Sequence, residues 1–149
     1  MTASQSSHLP SPHRSAPNAH LAQKLQGLRP LFRRLFPEKV ASDFTVVIAT
    51  YNGAQRLGEV LDCLRCQIGT SDIVWEVIVV DNNSTDETAA VVQQHQTHWP
   101  KNLPLRYEFE PQQGAGYARQ KGTNVANSPL IGYLDDDNLP WVNWGHAAY

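Results

Sequence analysis

The chain has 149 residues, 41% of them hydrophobic, and a formal net charge of −2. That length suits one domain, no apolar run approaches the ~18 residues of a membrane span, and two cysteines cannot staple a disulfide scaffold. The charge is divided: residues 1–40 carry six Lys or Arg and one acid, and residues 41–149 carry six and thirteen. An acidic domain excludes nucleic acid as an expected partner, because neutralising phosphates requires Lys and Arg, and it suits a metal cation.

Residues 1–20 are rich in Ser, Pro, His and Ala. Such a segment cannot bury enough apolar surface to offset chain entropy, so a disordered leader is expected. Met1–Pro12 has no cationic stretch leading into an apolar one, which argues against a secretory signal and for a cytoplasmic setting. Residues 21–40 form a second unit. Leu21, Leu25, Leu28, Leu31, Phe32, Leu35 and Phe36 recur at steps of three and four, one face of a basic helix divided by Pro30 and ended by Pro37. Three readings stay open for 21–36: packing on the domain, peripheral contact with the inner membrane face, or a partner helix.

The third unit is a domain over 41–149. Phe44–Ala49 reads as a buried strand, followed by Thr50-Tyr51-Asn52-Gly53. Ala54–Gln67 follows as a helix, with Leu57, Val60, Leu61, Leu64 and Ile68 on one stripe. Cys63 and Cys66 lie within it as two buried or half-buried thiols, since no second pair exists to complete a zinc site. Trp75–Val80 is a second buried strand, ending at Asp81. Thr85–Gln96 is a helix for which Ser84 is the expected N-cap, leaving Asp81 free for a ligand. His95 and His98 at its end read as a solvated face. Leu105–Glu110 alternates as a third strand with one polar side. Gly114–Ala126 is a third helix, and Leu130–Leu134 a fourth strand running into Asp135-Asp136-Asp137. Strands alternating with helices give an α/β fold, a mostly parallel sheet with helices on both faces. Such sheets bind ligands at the carboxyl ends of their strands, where the polar residues of this chain collect.

The three aspartates are the strongest signal. Adjacent carboxylates repel unless a cation is present, and hard oxygen ligands suit Mg²⁺ or Mn²⁺, which also take diphosphate oxygens and water. If the strand geometry continues, Asp135 and Asp137 share one side and Asp136 points away. Gly114-Ala115-Gly116 opens a helix, a place that favours anions. It is not the dinucleotide fingerprint, because Arg119 stands at the third glycine position. Arg119 and Lys121, a turn later, suit a phosphate.

The run of an apolar strand ending in TYN, then VIVVDNNSTDET, GAGYARQKGTNVA and LIGYLDDDN, resembles the inverting family 2 glycosyltransferases of the GT-A, Rossmann-like fold over residues 43–144. The resemblance implies that Thr50, Tyr51 and Asn52 line a nucleotide pocket and that Asp81 bonds the base. It implies that Arg119 lies near the nucleotide and diphosphate, with Asp136 among the nucleotide-sugar contacts. Asp135 and Asp137 then hold a Mg²⁺ or Mn²⁺ ion that bridges the diphosphate. The implied partners are a nucleotide-sugar donor, a UDP-sugar first, and a saccharide or lipid-linked acceptor. The family's catalytic base lies well after the D-x-D pair, so the chain is expected to be truncated after its fourth strand, with the catalytic residue unknown. A non-catalytic module that binds a nucleoside diphosphate is the alternative.

Overall fold

The computed structural model describes residues 42–149; the expectations for 1–20 and 21–40 lie outside these residues. Four strands, β1 (Phe44–Thr50), β2 (Trp75–Asp81), β3 (Leu105–Phe109) and β4 (Ile131–Asp135), alternate with helices α1 (Leu57–Arg65), α2 (Thr88–Thr97) and α3 (Ala115–Val125). A short helix α4 (Trp144–Ala148), not anticipated from the sequence, closes the chain. All strand pairings are parallel and the spatial order is β3-β2-β1-β4.

This order follows from burial and handedness. Residues of β1 and β2 lack exposed faces, so their runs of Val and Ile must be covered on both sides. Val46, Ile48, Val77 and Val79 pack with Leu57, Val60, Leu61 and Leu64 of α1 and Val92 of α2. Val47, Ile78 and Val80 pack with Ala118 and Ala126 on the other face. Right-handed crossovers require this division. The chain steps from β1 to β3 with its helices on one face, then crosses back to β4 with α3 on the other. Trp144 of α4 lies against Phe44, ring centroids 6.1 Å apart, on the α1 side.

Helix starts differ from expectation. α1 begins at Leu57, because Gly53–Arg56 form a turn whose carbonyl at Gly53 accepts the N–H groups of Arg56 and Leu57. α2 begins at Thr88, and Ser84 does not cap it: the Ser84 hydroxyl instead accepts the Asn52 N–H at 2.9 Å. Ile68 lies past the end of α1 and is exposed, as is Cys66, while Cys63 is half-buried. His95 is not simply solvated; its Nε2 lies 3.6 Å from Asp62 of α1. Among the described residues no helix is long and apolar enough to cross a membrane.

One charge lies deep in the α3 side of the sheet. Glu76 is 2% exposed and would be costly there without partners. Its Oε1 accepts the Thr45 hydroxyl at 2.9 Å and the Asn127 N–H at 2.7 Å, and its Oε2 accepts Asn127 Nδ2 at 3.0 Å and Arg106 Nη1 at 3.4 Å. Arg106 also donates to the Val125 carbonyl at 2.8 Å, so this network fixes where α3 ends and β4 begins. Glu76→Ala is expected to lower unfolding stability by about 3 kcal/mol, since it strands several donors at once. Glu76→Gln, which keeps an acceptor oxygen, should lose less; urea denaturation of the two variants checks the order.

Candidate active site at the strand ends

The reversal of strand order makes a crevice between the carboxyl ends of β1 and β4, the place where open α/β sheets take ligands. Thr50 ends β1, Asp81 stands beside it in register at the end of β2, and Asp135 ends β4 opposite Ala49. The sheet thus brings three of the sequence-selected residues to adjacent strand ends.

The aspartate run does not continue the strand. Asp136 and Asp137 occupy a turn, with the Asn138 N–H donating to the Asp135 carbonyl at 3.2 Å. The alternation that would set Asp135 and Asp137 on one side therefore ends at Asp135. Asp135 leans toward α3, where its Oδ1 accepts Arg119 Nη2 at 2.9 Å in a pair open to water. Asp136 leans the other way: its Oδ2 accepts the Thr50 hydroxyl at 2.6 Å and Arg56 Nη2 at 3.0 Å. Its carboxylate is the most sheltered of the two paired ones, with a side chain 14% exposed against 55% for Asp135. The hydrogen bond to Asp136, then its charge, hold the Arg56 guanidinium more firmly protonated than usual. Asp137 is exposed and makes no hydrogen bond or ion pair with another described residue.

Asp81 is not free. It is 3% exposed, and its Oδ1 accepts the Ser84 N–H at 2.8 Å while Oδ2 accepts the Tyr107 hydroxyl at 2.7 Å. The cap role expected of Ser84 falls to no side chain at α2; Asp81 instead stabilises the turn that leads there. Asn52 adopts a left-handed φ of 48° and its side-chain oxygen accepts the Thr85 N–H at 2.8 Å. With the Ala54 N–H on Asp86 and the Gly53 N–H on Thr88, the loops after β1 and β2 are laced into one rim. Burial pushes the Asp86 carboxyl up, but donors from Thr88 and Ala54 outweigh it and hold it below its usual value. Tyr51 is half-exposed on this rim.

Three contributors were missed in the sequence. Asn82 donates to the carbonyls of Glu110 and Gln112 and accepts the Gly114 N–H at 2.7 Å, so it sets the loop that opens α3. Its place directly after Asp81 was the available signal. Arg56 and Tyr107 gave none, because their partners are 80 and 26 residues away. The start of α3 is open, with Gly114, Ala115 and Gly116 exposed and Arg119 one turn in.

Residues 45–144 match the model of the family described as glycosyl transferase family 2. The chain belongs to glycosyl transferase family 2. Its curated relatives include the glycosyltransferase AglE of Haloferax volcanii, 33% identical over 67% of this chain and 32% of that protein. A validoxylamine A glucosyltransferase of Streptomyces hygroscopicus subsp. jinggangensis is 38% identical over 61% of this chain and 21% of that protein. Among solved structures, S. aureus TarS 1-349 in complex with UDP superposes with a TM-score of 0.62 at 26% identity, over 71% of this chain and 30% of that one. The mannosyltransferase PcManGT from Pyrobaculum calidifontis, in complex with GDP-Man and Mn²⁺, gives 0.61 at 28% identity, over 87% and 41%. The fold is GT-A, and the matched part of the chain covers between 21% and 41% of these relatives and solved chains.

Two tests follow from the site geometry. A Cβ on Gly53 would overlap Thr50 Oγ1 and stand 2.6 Å from Asp136 Oδ2. The Thr50–Asp136 hydrogen bond fills the space such a Cβ would take, so the Thr50 hydroxyl must turn away and its bond to Asp136 is lost. Gly53→Ala should therefore speed amide exchange across 136–138, leave the β1–β2 core protected, and cost about 1–2 kcal/mol of stability. The second concerns pH. Burial, then the bond to Asp81, push the Tyr107 phenol from 10.0 up to about 12. The native state holds this proton after the unfolded chain has lost it, so the contribution of Tyr107 is complete below pH 10 and is lost between 10 and about 12. Alkaline unfolding curves of the wild type and Tyr107→Phe should converge across that window.

Proposed function

We propose that the chain supplies the donor-binding part of a glycosyltransferase that moves a sugar from a nucleotide-diphosphate sugar to an acceptor hydroxyl, with inversion and with help from Mg²⁺ or Mn²⁺. The observation that carries this reading is the gathering of carboxylates and donors at the β1–β4 switch point. Asp81 would accept a base N–H through an acceptor position that its bonds to Ser84 and Tyr107 leave open, with Thr50, Tyr51 and Asn52 along the rim between it and the aspartate turn. Arg119 and the open start of α3 offer positive potential for a diphosphate. UDP in one structural neighbour, and GDP-Man with Mn²⁺ in another, support a nucleotide-sugar donor, for which a UDP-sugar is proposed. The acceptor would be a saccharide or a lipid-linked hydroxyl.

Carboxylate oxygens are the ligand type a hard divalent ion takes, and Asp135 would turn from Arg119 to share one with Asp137. Asp137 is exposed without a bond to another described residue, and Asp135 is tied only by a water-exposed pair of the kind worth ~0–1 kcal/mol. No group of three metal-ligating side chains gathers among the described residues, so Asp135 and Asp137 would share the ion with diphosphate oxygens and water. When bound, the ion would neutralise charge on the departing diphosphate.

The chain's own residues account for the remainder. Asp136 is restrained by Thr50 and Arg56, and so holds the turn that presents its two neighbours. Asp136→Ala should therefore loosen the turn and remove the hydrogen-bonded partner of Arg56. Released from Asp135, Arg119 could follow the diphosphate. In the reaction the acceptor oxygen bonds to the anomeric carbon, the bond from that carbon to the diphosphate oxygen breaks, and a base takes the acceptor proton. That base is not assigned to any of residues 42–149.

Calorimetry of the full chain with UDP and GDP in Mn²⁺ and in EDTA tests the reading. Binding should weaken at least tenfold in EDTA and in the Asp135→Asn, Asp137→Asn double variant. Asp81→Ala should weaken it roughly 10- to 150-fold even with Mn²⁺ saturating, the cost of a hydrogen bond to a charged acceptor. Equal affinity in EDTA would remove the metal from Asp135 and Asp137. Binding without transfer from labelled donor to any added acceptor would favour a binding module.

A further inference from the structure

We propose that Tyr107 is a positioning residue for nucleotide-base selection: through its hydrogen bond it fixes the plane of the Asp81 carboxylate, so that the site favours bases carrying a ring N–H. The inference rests on the donor-site reading, in which Asp81 meets the base.

An ionised carboxylate accepts about four hydrogen bonds, two on each oxygen. At Asp81 each oxygen has one acceptor position filled from the protein, Oδ1 by the Ser84 N–H and Oδ2 by the Tyr107 hydroxyl. The two donors come from different elements. Ser84 belongs to the turn after β2, and Tyr107 rises from the adjacent strand β3, on the side of the sheet that carries α1 and α2. One contact alone would let the carboxylate rotate about its Cβ–Cγ bond, a torsion that is intrinsically broad. Two contacts on opposite oxygens hold its plane.

The remaining acceptor positions then point in set directions. Acceptors so fixed select by hydrogen-bond sign. Uracil and guanine each present a ring N–H. Cytosine and adenine present a ring nitrogen lone pair at the matching place, which a carboxylate repels. Ser84 donates through its backbone, and no substitution at position 84 other than proline, which would also constrain the turn, removes that bond. Tyr107 is the donor that can be deleted cleanly. Burial and Asp81 keep its phenol protonated up to about 12, so near neutral pH it acts only as a donor toward this carboxylate.

The test compares matched ligands on the full chain by calorimetry in saturating Mn²⁺: UDP against CDP, and GDP against ADP. The pair bound more tightly is used. The wild type should prefer the ring N–H member by about tenfold or more. Tyr107→Phe should cut that preference several-fold, and Tyr107→Phe in an Asp81→Asn background should change it no further. A general disturbance of the site would weaken both members of a pair alike and leave their ratio standing. An unchanged ratio in Tyr107→Phe, while Asp81→Asn abolishes it, would overturn the role of Tyr107 and keep Asp81 as the base contact. A ratio near one in the wild type, or one that survives Asp81→Asn, would overturn the base-site reading and this inference with it. Circular dichroism checks that each variant folds. If Tyr107→Phe does not, Tyr107→Leu removes the same donor and carries the same comparison.

Discussion

The hydrogen bond from Thr50 to Asp136 joins the end of the central strand to the turn after the edge strand, and the site depends on it. A parallel sheet fixes the directions of its strands but not the loops that leave them. Here the loop after β1 would be free to separate from the aspartate turn if nothing crossed the crevice between them. Thr50 crosses it at 2.6 Å, and Arg56 adds a second donor to the same oxygen. The close approach is allowed because position 53 has no side chain. One glycine, one hydroxyl and one guanidinium thus set the spacing of a crevice whose walls are otherwise carboxylates.

The same logic explains how three adjacent acids coexist. Asp135, Asp136 and Asp137 diverge rather than align. The pleat sends Asp135 toward α3, and the turn carries Asp136 toward Arg56 and Asp137 outward. Two arginines from opposite faces of the sheet neutralise the first two. The negative charge left over resides on the exposed third. That is a suitable resting arrangement for a site proposed to take a cation together with an anionic diphosphate, because exposed pairs exchange partners at little cost.

The strands were legible because parallel strands covered on both faces must be continuous apolar runs. Val46–Ala49 and Val77–Val80 have few other uses, and their ends fall within a residue of the expectation. The helix starts were not legible for a physical reason. Gly53–Arg56 and Ser84–Glu87 have local patterns that permit helix, yet the N–H groups of Gly53 and Ala54 go to Thr88 and Asp86, and that of Thr85 goes to Asn52. Cross-loop bonds over some 32 residues outweighed local capping preference. The candidate site shows the same division. Thr50, Asp81 and Asp135 could be located by their place at strand ends. Nothing in the expected strand over 105–110 or the expected helix over 54–67 singled out Tyr107 or Arg56, because only the folded chain brings them to Asp81 and Asp136.

The central claim is that the aspartate turn and Asp81 form two ends of one donor site. Crystals of the full chain grown with Mn²⁺ and UDP, measured at a wavelength where manganese scatters anomalously, test it most directly. The account predicts one strong anomalous peak within ligand distance of Asp135 and Asp137, continuous with diphosphate density, and the uracil against Asp81. A manganese peak remote from that turn, or a base bound away from Asp81, would contradict it.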